Sequence, residues 1–155
     1  MPSVPLLGSD GKPDGPFILL VGGADQGRWQ GAASRKFASY AAQVLVTNVP
    51  ILPGGEMLTP ELALSFQLEY AEAADVVLCW CGKDNNALYL SEWLLVSTLI
   101  SEFSDKLVIG IPQALDHPMG ESLRLLARRR GLIEQHSLET AIVEAQQRCR
   151  VRRGR

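Results

Sequence analysis

Glu92 is the side chain whose placement most invites chemistry. It heads an apolar helix-forming run, Ser91-Glu92-Trp93-Leu94-Leu95-Val96-Ser97, just after a polar loop, Gly82-Lys83-Asp84-Asn85-Asn86. That loop follows a strand-like segment, Asp75-Val76-Val77-Leu78-Cys79-Trp80. Open α/β sheets hold ligands beyond the carboxyl ends of their strands, so a carboxylate opening the next helix lies within reach of one. The helix N-terminus favours an ionised carboxylate, the form that a nucleophile or general base needs. The same field makes glutamate a good first-turn residue with no chemistry at all, and position alone leaves both roles open.

Other polar residues gather around the same expected rim. Asp84 and Asn86 stand in the loop before Glu92, where they serve equally as ligand contacts or as ordinary loop formers. The first strand, Phe17-Ile18-Leu19-Leu20-Val21, runs into Gly22-Gly23-Ala24-Asp25-Gln26-Gly27. Adjacent Gly22 and Gly23 do not match the dinucleotide fingerprint, and no Gly-Lys-Ser/Thr follows to make a phosphate loop. The two glycines either let a ligand approach the backbone or only make the turn. Trp29, with Gln30 beside it, either stacks on a ligand ring or covers a helix–sheet seam. Gln67 both donates and accepts hydrogen bonds, which suits a sugar hydroxyl or a base edge and equally suits an exposed helix position. Asp75 falls at the amino end of its strand, opposite the ligand side, and reads as a structural backbone partner. His117 and His136 share no metal-ligand spacing with the cysteines.

These residues need elements to hold them. The continuous apolar run from Phe17 to Val21 predicts a strand buried on both faces. Helical spacing predicts a helix from Gln30 to Ala42, and a second strand spans Val44 to Val49. Thr59 and Pro60 are an N-cap and a first helical residue for a helix to about Ala73. A third strand, Asp75 to Cys81, is followed by a helix from Leu88 to Phe103 and a fourth strand from Lys106 to Ile111. Another helix runs from His117 to Arg130, stopped by Gly131. A short fifth strand at Leu132-Ile133-Glu134 and a final helix, capped by Ser137 and running to about Arg148, complete the pattern. Strands alternating with helices predict a parallel sheet covered on both faces.

Residues 1–16, rich in Pro, Gly and Ser, read as a flexible arm, 17–149 as a single domain, and 150–155 as a basic tail. The chain has 155 residues, enough for one domain with a sizeable core. Its composition, 46% hydrophobic and 21% charged, is that of an ordinary globular protein. A net charge of -2 argues against nucleic acid or an anionic membrane as partner. No apolar run is long enough to span a bilayer, and the start does not look like a signal peptide. Three cysteines read as reduced thiols in a cytoplasmic core.

Three of these segments together resemble the nucleoside 2-deoxyribosyltransferase family, in its divergent deoxyribosyltransferase-like branch. One is the first strand with its small-residue turn and Trp29-Gln30. Another is a helix carrying Gln67 two turns before Ala74-Asp75-Val76-Val77. The last is Tyr89-Leu90-Ser91-Glu92 followed by the Lys-led strand Lys106-Leu107-Val108-Ile109-Gly110. The resemblance implies a three-layer Rossmann- or flavodoxin-like α/β domain with a five-stranded parallel sheet. It implies that Glu92 is a nucleophile attacking the anomeric carbon of a nucleoside, with a covalent glycosyl ester resolved by a second base or by water. Gly22, Gly23, Trp29, Gln67, Asp84 and Asn86 would line the pocket. No metal or organic cofactor is implied, and family members are usually homo-oligomers.

This sequence departs from the family in ways that bear on activity. Typical members carry acidic residues where Gln67 and Asn86 stand, and Trp93 follows the glutamate in place of a small helix residue. A nucleoside or nucleotide is therefore the expected ligand. Transfer, hydrolysis of a nucleotide by the same glutamate, and binding without catalysis are the three alternatives. Arg28, Ser34 and Arg35 are the candidate phosphate contacts for the hydrolase.

Overall fold

The computed structural model describes residues 16–22, 28–39, 43–46, 60–81, 90–112 and 118–153. In chain order these form β1 (Phe17–Gly22), α1 (Arg28–Ala38), β2 (Gln43–Val46), α2 (Pro60–Ala73), β3 (Val76–Trp80), α3 (Leu90–Glu102), β4 (Leu107–Gly110), α4 (Pro118–Arg129) and α5 (Leu138–Arg153). The four strands make one parallel sheet in the order β2-β1-β3-β4.

Period-two alternation splits β1, β3 and β4 between two cores. Phe17, Leu19, Val21, Val77, Cys79, Leu107 and Ile109 face α2, α3 and α4, where Tyr70, Leu95, Leu99, Ile100, Leu123 and Ala127 meet them. Ile18, Leu20, Val76, Leu78, Trp80 and Val108 face α1 and α5. On that side α1 offers Trp29, Ala33 and Phe37 at four-residue spacing, and α5 offers Ala141, Ala145 and Cys149. The small residues of α5 let it lie close over the sheet. Both faces are buried, which is why the strands read as unbroken apolar runs.

Each helix end has a local cause. Pro60 and Pro118 are the first residues of α2 and α4. Ser137 caps α5 by accepting the Thr140 N–H at 3.2 Å. After α4, Gly131 (φ 73°) donates to Arg128 O at 3.0 Å and Leu132 donates to Ala127 O at 3.0 Å, a Schellman stop that only glycine adopts without strain.

α1 begins two residues before and ends four residues before the expected Gln30–Ala42 helix, and two features of the carboxyl-terminal part differ more. The fifth strand is reduced, among the described residues, to one parallel bridge between Gly110 and Gln135. Ile111 donates to Gln135 O and Gln135 to Ile109 O, both at 2.9 Å. The final helix continues through Arg153, so residues 150–153 are helix rather than tail. Its arginines find acceptors there. Arg148 reaches Glu144 at 2.8 Å and Leu107 O at 2.9 Å, and Arg152 reaches Asp105 at 3.3 Å. Cations also suit the negative end of a helix. Residues 1–15 and the Thr59 cap lie outside the described residues. Among those described, no helix is long and apolar enough to cross a membrane. The three cysteines are buried thiols, with no disulfide among them.

The amino ends of the strands are tied by two polar devices. Asp75 accepts the Phe17 N–H through Oδ2 at 2.8 Å and returns its own N–H to Phe17 O at 2.9 Å, pinning β1 to β3 as the sequence reading of Asp75 expects. Lys106, only 7% exposed, donates from Nζ to Glu72 O at 2.6 Å and Ala74 O at 3.1 Å, closing the C-terminus of α2. Burial pushes its ammonium below the ordinary lysine range and Arg152 adds to this, while Asp105, Glu72 and Asp75 pull part of the way back.

Two predictions follow from the amino edge. Asp75→Ala leaves the Phe17 amide without its carboxylate and is expected to cost about 1–3 kcal/mol in urea unfolding. For Lys106, the unfolded chain keeps its proton at pH values where the folded lysine has already released it. Stability therefore gains with pH between the lowered folded value and the ordinary one. Tyr70, raised by burial and by Glu69, acts in the opposite sense. Subtracting the pH profile of Lys106→Met from the native profile isolates the lysine, and the difference is expected to rise with alkaline pH.

Candidate site at the carboxyl rim of the sheet

Parallel strands joined through helices all end on one rim, and the helices run back toward the other. Where the strand order reverses, neighbouring connections leave for opposite faces and open a crevice. Here that place lies between β1 and β3: α1 packs on one face of the sheet and α3 on the other. Glu92 is the third residue of α3, in the first turn of the helix that follows β3. Its backbone thus belongs to the rim next to the switch point. Its side chain lies outside the described residues, as do Gly23, Asp84 and Asn86 altogether.

The floor of this rim is its last rung. Trp80 pairs across the sheet with Gly22 on β1 and with Gly110 on β4. A Cβ on Gly22, whose φ is 150°, would overlap the Trp80 carbonyl oxygen and lie 3.2 Å from Cζ2 of Trp29. A Cβ on Gly110 would overlap the Trp80 ring and lie 2.6 Å from its Cζ3. The Trp80 indole therefore lies over Gly110, and the edge of the Trp29 ring lies over Gly22. The close approach that Gly22 permits among the described residues is to these two tryptophans.

Trp29 is 4% exposed and packs in the core beneath α1, so it covers the helix–sheet seam. Gln30 beside it is a buried amide. Gln67 is half-buried in α2, one turn before Tyr70 and Ala71 and on the side of the helix they share. Tyr70 meets Phe17, the first residue of β1, edge to face with centroids 6.2 Å apart. Gln67 is only about 4.5 Å further along the axis, which sets its backbone nearer the amino half of the sheet than the rim. Of the candidate phosphate contacts, Ser34 is half-buried, Arg35 is exposed in the last turn of α1, and Arg28 opens α1 with its side chain outside the described residues. Among the described residues no three His, Cys, Asp or Glu side chains converge as metal ligands.

The sequence reading missed a charged cluster where β4 leaves the sheet. Arg124, 8% exposed on α4, donates to Pro112 O at 2.8 Å and to Glu121 Oε1, and its Nε lies 3.6 Å from Glu134. Arg128 approaches the other oxygen of Glu134 at 3.1 Å, an ion pair without hydrogen-bond alignment. His136 Nδ1 lies 3.3 Å from Ile111 O. Together these contacts fasten the segment 132–136 to the exit of β4 where a ladder would otherwise do so. Nothing in the spacing of Arg124 and Glu134 announces the pairing. Gly110 does carry a signal, since a glycine between Ile109 and Ile111 inside a strand marks a close approach.

Arg124→Ala leaves Glu134 buried with a single, mostly solvated partner, and is expected to cost about 3–5 kcal/mol in denaturant unfolding. Arg128→Ala is expected to cost about 1 kcal/mol or less, because its guanidinium is already in water. Equal costs would show that the two pairs are not partitioned by burial.

The chain matches no protein-family model and no curated protein.

Proposed function

We propose that this protein is a nucleoside 2-deoxyribosyltransferase-like enzyme that cleaves an N-glycosidic bond through Glu92. The observation that carries the reading is topological: Glu92 falls in the first turn of the helix following β3, beside the β1–β3 switch point. The strand order also supports a doubly wound, Rossmann- or flavodoxin-like sheet, with the segment 132–136 as its rudimentary fifth strand.

In the proposed reaction a Glu92 carboxylate oxygen attacks the anomeric carbon of a bound nucleoside. The C–N bond breaks and its electron pair leaves with the base, which takes up a proton. The nitrogen of a second base then attacks the anomeric carbon of the glycosyl ester: the new C–N bond forms, the ester C–O bond breaks to restore the Glu92 carboxylate, and the incoming base gives up its N–H proton, matching the one the first base took up. Gly22 and Gly23 form the turn against which the ligand lies. Asp84 and Asn86 hold base and sugar in this proposal, Trp29 backs the Gly22 turn from the core, and Gln67, set toward the amino half of the sheet, is not among the ligand contacts. The amide at Asn86 favours hydrogen bonding over proton delivery, which leaves Asp84 as the acid beside the nucleophile. The ligand is a nucleoside or nucleotide, the setting is the cytoplasm, and the assembly is a homo-oligomer.

The test is base release from 2'-deoxynucleosides, ribonucleosides and their monophosphates, with and without an acceptor base. Base exchange in the native chain is expected, with Glu92→Ala lowering kcat/KM at least about 10³-fold. Release that needs no acceptor would move the reading to a hydrolase. Silence from the native chain across the panel would sink the enzymatic reading.

A further inference from the structure

The outer side of α5 carries apolar side chains that the core does not use. Val143 is 51% exposed and Val151 56%. Exposed Gln147 stands midway between them, so Val143-Gln147-Val151 makes one ridge of four-residue spacing along the helix. The opposite side of α5 is already spent on the sheet, through Ala141, Ala145 and Cys149.

A groove runs along each flank of this ridge. The one beside α1 is lined by Lys36, Glu139, Val143 and Gln146. The one beside the turn into β4 is lined by Asp105, Glu144, Arg148, Val151 and Arg152. Helices pack by seating the ridge of one in the groove of the other, and α5 offers both halves of such a contact.

The charges of α5 select the helix that fits. Its first half holds Glu139 and Glu144, and its second half Arg148, Arg150 and Arg152. A facing helix of the same sequence sets acid against base at both ends when it runs antiparallel, and like against like when it runs parallel. The spacing has the same symmetry. Reversal about Gln147 exchanges Val143 with Val151 and Glu144 with Arg150. A two-fold contact requires this, because each copy must present the surface that it receives.

We propose that α5 is a two-fold docking surface for a second copy of this chain, the two helices antiparallel and crossing at Gln147. Val143 of each copy seats in the partner's groove beside Val151, and Glu144 faces the partner's Arg150. The proposal gives the homo-oligomer of the preceding section a surface, and it stands on α5 alone, whatever Glu92 does. One helix face buries less than the ~800 Å² per partner of a standard interface, so the dimer is expected to dissociate at about 1–100 µM.

The test is sedimentation equilibrium of the full chain over about 1–500 µM, with thermal midpoints as the folding control. A monomer–dimer equilibrium is expected for the native chain. Val143→Glu puts a carboxylate into the apolar seat and is expected to raise Kd at least about tenfold. Val151→Glu is expected to do the same, and it decides if Val143→Glu does not fold. Disulfide trapping with diamide then reads the register, since the native thiols are buried. Gln147→Cys is expected to link to itself, because the two-fold brings both copies of that position together. Val143→Cys is expected not to, because its two copies lie about 12 Å apart along antiparallel helices. Mixed with Val151→Cys, it is expected to link. A native chain that is monomeric throughout leaves the ridge to residues 1–15 or to a different protein, and overturns the proposal. So does a dimer unmoved by the glutamate variants, which places the contact elsewhere, and so does self-linking of Val143→Cys, which makes the pair parallel. None of these readouts uses a substrate, so their failure is distinct from silence in the base-release assay.

Discussion

A parallel strand cannot return through a hairpin; it has to be carried back by a crossover that packs on the sheet. Everything else here depends on that constraint. It buries both faces of the sheet, so α1 and α5 close one core and α2, α3 and α4 close the other. It also gives the two ends of the sheet different duties. The amino ends gather the helix C-termini, and the carboxyl ends gather the helix starts, where backbone N–H groups and first-turn side chains are available to a ligand.

The chain treats the two ends accordingly. At the amino end polar groups are consumed by structure: Asp75 by the amide of Phe17, Lys106 by the last carbonyls of α2, Arg148 by Leu107. At the carboxyl end, among the described residues, two indoles and two glycines meet at the last rung, and the Arg124–Glu134 pair stands at the exit of β4. A buried ion pair gains little stability over an apolar filling but specifies one geometry. That distinction fits Arg124 and Glu134, which set the path of 132–136 where only one bridge holds it to the sheet.

How much of this was legible depended on the range of the interactions involved. Strands buried on both faces announce themselves as apolar runs, and so β1, β3 and β4 stand within a residue at each end of the expected Phe17–Val21, Asp75–Cys81 and Lys106–Ile111. Pro60, Pro118, Gly131 and Ser137 act on the backbone within a turn of themselves, and each ends or begins a helix as its chemistry requires. Asp75 could be read as a backbone partner because its end of the strand was known, though not that the partner was Phe17, 58 positions away. The extent of α5 was underestimated because Arg150, Arg152 and Arg153 look like a solvated run until Asp105 and the end of a helix dipole are brought beside them. Arg124 and Glu134 are brought together only by folding, and no local pattern encodes their pairing, whereas Gly110 within its strand signals a close approach without naming Trp80 as the partner. Within the candidate site, the place of Glu92 in its helix was legible from the sequence, whereas the backbone position of Gln67 along the sheet was not.

The position of α5 in the chain bears on how the molecule is made. It covers Ile18, Leu20, Val76, Leu78 and Val108, side chains contributed by strands that leave the ribosome well before it. Until α5 has been synthesised, a nascent chain holding β1, β3 and β4 in place presents one sheet face to solvent with much of its apolar surface bare. Such a face is a site for chaperone capture or for misassociation between neighbouring chains on a polysome. The small residues Ala141, Ala145 and Cys149 thus close a core that cannot mature in step with translation.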